Sequence, residues 1–146
     1  MAHFTKDKGD IGVAKIIADL AVQGYSVMLP ISEHLPFDLV IVSEEAKLLR
    51  CQVKYRSLNS DNKIQVEVKN TASNSNGYYT KLVDFEKIDV YAIYCPDLDK
   101  CYYMPTKLVK QYTSKFTLNA ASEKTSQMNF YHLDFSALKA EYFTDT

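Results

Sequence analysis

The chain is predicted to fold as an α/β or α+β sheet protein, one helix followed by several strands. Three observations point there. Ile11, Ala14, Ile17, Ala18 and Ala21 recur at helical spacing. Ile64, Val66 and Val68 alternate with Lys63, Gln65, Glu67 and Lys69, as in a half-buried strand. Residues 37–42 and 48–55 are short, mostly apolar runs.

The elements follow in order. Lys8-Gly9-Asp10-Ile11-Gly12 opens the ordered part, and Asp10 is placed to cap the helix. Gly24 stops that helix, and residues 25–29 form a strand that Pro30 ends. Strand 37–42 is apolar except for Asp38. In strand 48–55, Cys51, Val53 and Tyr55 alternate with Arg50, Gln52 and Lys54. Residues 70–77 are polar and low in propensity, which predicts a loop. Strands 89–94 and 101–104 flank Pro96-Asp97-Leu98-Asp99, a hairpin signature. Residues 106–112 read as a short helix, 116–119 as a strand and 136–142 as a C-terminal helix. There are no repeats and no interdomain linker, so residues 1–146 are expected to form one domain.

Composition is ordinary for a globular chain, with 47% hydrophobic and 24% charged residues. The net charge of −1 is low for a nucleic-acid binder, but Lys and Arg outnumber acids between 54 and 81. The 11 tyrosines suit phosphate contacts and base stacking, and equally suit half-wet sheet faces. Three cysteines, Cys51, Cys95 and Cys101, with no signal peptide, point to a reducing cytoplasm. Cys95 and Cys101 lack the paired ligands a zinc site needs and read as small residues near a turn. No apolar run approaches the ~20 residues of a membrane span.

The chemistry-bearing segments are Glu33-His34-Leu35-Pro36-Phe37-Asp38 and Gln52-Val53-Lys54. Side chains two apart share one face of a strand, so Gln52 and Lys54 lie together. On adjacent strands they can converge with Asp38. A hard oxygen ligand, an amide oxygen and an ammonium at one point can hold a divalent cation and a water beside a phosphodiester. A carboxylate inside an apolar strand is costly unless partnered. A structural Asp38–Lys54 ion pair would answer that cost as well as a catalytic one.

The order of these pieces resembles the PD-(D/E)xK nuclease superfamily, and within it the homing endonucleases associated with bacterial group I introns. The resemblance rests on Lys8-Gly9-Asp10-Ile11-Gly12-Val13, Gly24-Tyr25, Glu33 through Val40, Gln52-Val53-Lys54-Tyr55-Arg56-Ser57, Tyr94-Cys95-Pro96-Asp97 and Cys101-Tyr102-Tyr103. It spans a catalytic core at about 8–104, with 105–146 as a C-terminal extension. It implies an αβββαβ core, a central mixed sheet with flanking helices, and a cation at the strand ends. It makes Asp38 the motif aspartate, Gln52 the occupant of a usual Glu or Asp position, and Lys54 the motif lysine. Two carboxylates common in relatives are replaced, by Gln52 and by Val13 on the first helix. Asp10 or Glu33 can supply one, and each also has a bland role, as a cap and as a solvated loop residue.

The expected function is therefore a Mg²⁺-dependent homing endonuclease, with Mn²⁺ able to substitute, that cuts a specific site in double-stranded DNA. Asp38, Gln52 and Lys54 are its catalytic set, and Asp38, Gln52, Asp10 and Glu33 its candidate metal ligands. Arg56, Lys63, Gln65, Lys69, Asn74, Tyr78, Tyr79 and Lys81 are its candidate DNA contacts, since Arg and Gln read base edges and Lys positions phosphates. The alternatives are a Holliday-junction resolvase or repair nuclease on the same core, and a non-catalytic nucleic-acid-binding or protein-interaction module. One active site cuts one strand, so a homodimer or homotetramer is expected. Its interface is expected among Tyr102, Tyr103, Phe130, Tyr131, Phe135, Tyr142 and Phe143, unless those rings complete the monomer core.

Overall fold

The computed structural model of the chain describes residues 4–43, 45–74, 77–82, 86–109, 114–119, 129–131 and 135–139. Helix α1 spans Phe4–Val22. Three strands follow: β1 (Ser26–Met28), β2 (Leu39–Val42) and β3 (Leu48–Tyr55). Next come β4 (Lys63–Glu67), β5 (Lys69–Asn74) and β6 (Gly77–Leu82). The chain continues through β7 (Val90–Cys95), β8 (Lys100–Pro105), β9 (Lys115–Asn119) and β10 (Asn129–Tyr131).

The central sheet has the order β1-β2-β3-β7-β8. Its pairings are antiparallel except β3 with β7, which run parallel. A second sheet has the order β10-β9-β4, and β5 pairs with β6 alone.

Period-two alternation gives the central sheet two apolar faces. Ile16 and Leu20 of α1 pack with Leu39, Ile41, Cys51, Ala92 and Tyr103 on one. Ile64, Val66, Phe116 and Leu118 of the second sheet pack with Tyr91, Ile93, Tyr102 and Met104 on the other. The helix lies close over β3: a Cβ on Gly12 would sit 3.4 Å from Val53 Cγ1.

Gly24 ends α1 at φ 96°, a left-handed value that costs glycine little. The Gly24 N–H donates to Ala21 O at 3.1 Å and the Tyr25 N–H to Leu20 O at 2.9 Å, a Schellman closure. The start of the helix differs from expectation. Asp10 lies inside α1, exposed, rather than at its cap. Residues upstream carry no breaker except Gly9, whose cost of about 1 kcal/mol does not stop a helix.

Other expectations are corrected by long-range pairing. Residues 70–77 are not a plain loop, because 70–74 pair with β6, Asn70 facing Lys81 and Ala72 facing Tyr79 in register. The β-favouring Tyr78-Tyr79-Thr80 run compensates for weak partners. Of the helix expected at 106–112, Thr106–Leu108 form a 3-10 turn that ends at an extended Val109, and 110–112 lie outside the described residues. At 136–139 no helix forms, and 140–142 lie outside the described residues. Tyr102, Tyr103 and Phe135 are buried within the monomer instead of forming an exposed subunit interface. The side chains of Phe130 and Tyr131, and all of Tyr142 and Phe143, lie outside the described residues. All three cysteines are free and buried.

Candidate active site

The site is assembled by the β2–β3 ladder and the parallel neighbour β7. Leu39 pairs with Cys51. Asp38 immediately precedes β2, where the regular ladder ends. The Asp38 N–H donates to Cys51 O at 2.9 Å, and its Oδ2 accepts the Val53 N–H at 2.7 Å. The carboxylate is thus pinned to the main chain between Gln52 and Lys54 while the residue stays exposed.

Val53 and Tyr55 pack toward α1, so Gln52 and Lys54 project from the opposite face. Both are half-buried. Gln52 Oε1 is wholly buried and has no hydrogen-bond partner among the described residues. Its unspent lone pairs fit a cation or a proton donor.

Burial pulls the Lys54 ammonium below the usual lysine range, and the nearby positive charge of Arg56 adds to this, while Asp38 and Glu67 act in the opposite sense. Glu67 of β4 is a neighbour that local sequence reading does not find. A charge held partly out of water acts more strongly on a neighbouring anion than a solvated one.

The remaining candidate ligands lie apart. Asp10 is exposed on α1, and Glu33 is exposed in the connection before Asp38. Val13 on α1 is half-buried in the α1 cluster and supplies no carboxylate. Among the described residues, no three His, Cys, Asp or Glu side chains gather as a metal-binding group. Asp38 and Gln52 remain the candidate oxygen donors of this stretch, and a divalent cation held there would take its remaining positions from water and phosphate oxygens.

Arg56 continues β3, its N–H donating to Tyr94 O at 3.0 Å and its guanidinium to Tyr55 O at 2.8 Å. Lys63 and Gln65 alternate with buried Ile64 and Val66 on the outward face of β4. Lys69 and Asn74 lie on β5, and Tyr78, Tyr79 and Lys81 on β6. This hairpin is a two-stranded antiparallel ribbon.

Three features escaped sequence reading. Arg50 grips Asp89 through its main-chain N–H at 2.8 Å and its guanidinium at 3.0 and 3.1 Å, locking the start of β3 to the start of β7. Asp99 accepts from Tyr94 Oη at 2.7 Å and Lys15 Nζ at 3.0 Å, tying the β7–β8 turn to α1. Tyr91, the register partner of Gln52, is fully buried. Burial pushes the Tyr91 hydroxyl well above the usual tyrosine range, so it keeps its proton.

The five-stranded mixed sheet with α1 packed on one face is the fold of a PD-(D/E)XK nuclease. A sequence model of the PD-(D/E)XK endonuclease family matches residues 3–137, and the chain belongs to that family. Its fold is similar to that of the bacterial homing endonuclease I-Ssp6803I, with a TM-score of 0.72 and 25% identity over 84% of this chain and 83% of that one. A Holliday junction resolvase, Hjc of Archaeoglobus fulgidus, aligns with a TM-score of 0.46 and 11% identity over 77% of this chain and 84% of that one. No curated protein sequence matches the chain. Among the described residues, no helix is long and apolar enough to cross a membrane.

Proposed function

We propose that the chain is a divalent-cation-dependent homing endonuclease that hydrolyses both strands of a long, specific duplex DNA site, using Mg²⁺ with Mn²⁺ as a substitute. The observation that carries this reading is the Asp38 carboxylate, pinned by the Val53 amide beside Gln52 and Lys54, in a fold similar to that of I-Ssp6803I.

Asp38 and Gln52 would hold the cation. When bound, it would neutralise charge on the scissile phosphate and draw a nucleophile toward it. Lys54 orients the attacking water through its ammonium hydrogens and offsets charge developing on the phosphorus oxygens. The second sheet covers the face that carries Lys54, which limits water and strengthens that interaction. No covalent enzyme intermediate is required.

Arg56, Lys63 and Gln65 extend the site toward the duplex. The β5–β6 ribbon, with Lys69, Asn74, Tyr78, Tyr79 and Lys81, has the two-stranded form a major groove accepts. Two active sites are needed for a double-strand break, so the working species is a two-fold dimer or a dimer of dimers, and the preferred site is roughly palindromic. Incubating the protein with a randomised duplex library and Mg²⁺ tests the reading. Cleavage at one long motif, lost in Asp38→Ala, is expected. Retained binding without cleavage in Mg²⁺ or Mn²⁺ overturns it, and cleavage confined to branched DNA replaces homing with junction resolution.

A further inference from the structure

Two buried polar atoms belong to residues that pair between β3 and β7. Gln52 Oε1 and Tyr91 Oη each lack a hydrogen-bond partner among the described residues. Both project from the face opposite α1. An unsatisfied buried polar group is costly and rare. Two on neighbouring residues, one of them a candidate cation ligand, are a site rather than an accident of packing.

Tyr91 has no freedom to bring its hydroxyl to solvent. It is fully buried among Ile93, Tyr102, Met104 and Phe116, and its ring tilts against that of Phe116 at 6.0 Å between centroids. Gln52 is only half-buried. Its two amide ends differ chemically: only Oε1 can take a cation, and Nε2 repels one. A ligand of this kind needs something to set which end points outward. A tyrosine hydroxyl serves either end, donating to Oε1 or accepting from Nε2.

We propose that Tyr91 is a positioning residue for Gln52, its hydroxyl holding the amide through one water, so that Oε1 is presented to the divalent cation. The proposal rests on the cation-binding reading of Gln52. It also ties the hydroxyl to the glutamine: a carboxylate at position 52 has two equivalent oxygens and no wrong end to turn outward.

The test is the affinity of the DNA-free protein for Mn²⁺, read by electron paramagnetic resonance of the unbound ion. Tyr91→Phe keeps the ring and removes only the hydroxyl. It is expected to weaken Mn²⁺ binding about tenfold, the usual effect of losing a group that orients a metal ligand. Thermal unfolding monitors the fold and should not fall. In a Gln52→Glu background the same change is expected to weaken binding by about threefold or less. Equal weakening in both backgrounds marks a merely structural hydroxyl and overturns the proposal. Unchanged affinity in Tyr91→Phe, with weakened affinity in Gln52→Ala, overturns it while leaving Gln52 a ligand. Unchanged affinity in Gln52→Ala removes Gln52 from the cation site, and the proposal with it.

Discussion

The Asp38 carboxylate and the Val53 amide are joined by a 2.7 Å hydrogen bond across the β2–β3 ladder. This bond uses one oxygen of Asp38 to fix its orientation and leaves the other for the proposed cation. An acid is tolerated at the mouth of this apolar strand because the residue stays exposed, and the main-chain donor then orients it.

Asp38→Ala and Lys54→Ala are each expected to lower cleavage by at least about a hundredfold, the scale of losing one preorganised electrostatic group, while site-specific binding survives. Asp38→Asn tightens binding, because it removes a negative charge facing the scissile phosphate. Cleavage rates beside gel-shift affinities check this, and full activity in either alanine variant removes that residue from the chemistry.

Gln52→Glu retains or raises cleavage, since it restores charge to an oxygen ligand. Gln52→Ala loses it. Metal titrations of activity separate the two, and equal inertness in Mg²⁺ and Mn²⁺ would assign Gln52 a steric role.

Truncating Arg56, Lys69 or Lys81 weakens DNA binding and flattens its salt dependence. Each lost phosphate contact lowers the slope of log affinity against log salt by roughly 0.9. A slope indifferent to all three would move the DNA face elsewhere on the molecule.

The Arg50–Asp89 clasp gives stability a pH dependence. Burial alone would raise the Asp89 carboxyl, but hydrogen bonds from the Arg50 side chain and main chain hold it below its ordinary 3.8. A depressed carboxyl contributes stability that is fully present above the unfolded value and lost as pH falls through the folded one. Stability should therefore decline below about pH 4. Asp89→Asn should cost about 1–2 kcal/mol at neutral pH, a charge-assisted hydrogen-bond effect discounted for solvent, and should flatten the acid limb. Urea titrations of both proteins across pH measure it.

Sequence legibility followed the range of the interactions. The bounds of β3 were readable because Cys51, Val53 and Tyr55 alternate with Arg50, Gln52 and Lys54. Asp38 was singled out as an acid inside an apolar strand, but it lies exposed just before β2, where solvent and the Val53 amide meet its charge. The β5–β6 hairpin was not readable, because Asn70, Ser73 and Asn74 take strand form through partners across the turn and not through local propensity. Tyr102 and Tyr103 misled for another reason: an aromatic ring needs burial but does not say by which chain. Arg50 with Asp89 and Gln52 with Tyr91 were invisible, since each pair depends on β3 and β7 lying side by side.

That parallel pairing also sets the timing of assembly. Every β3–β7 partner pair, from Cys51–Val90 to Tyr55–Tyr94, lies 39 residues apart in the chain, as do Arg50 and Asp89. Closing such a loop costs about 3 kcal/mol of chain entropy before any contact repays it. The β5–β6 and β7–β8 hairpins need no such closure and can form within microseconds. On a ribosome adding about 5–20 residues per second, β7 follows β3 by about 2–8 s. A nascent chain therefore carries Asp38, Gln52 and Lys54 for seconds before it has the neighbouring strand that buries and orders them, and a product truncated ahead of β7 would hold the motif without the site.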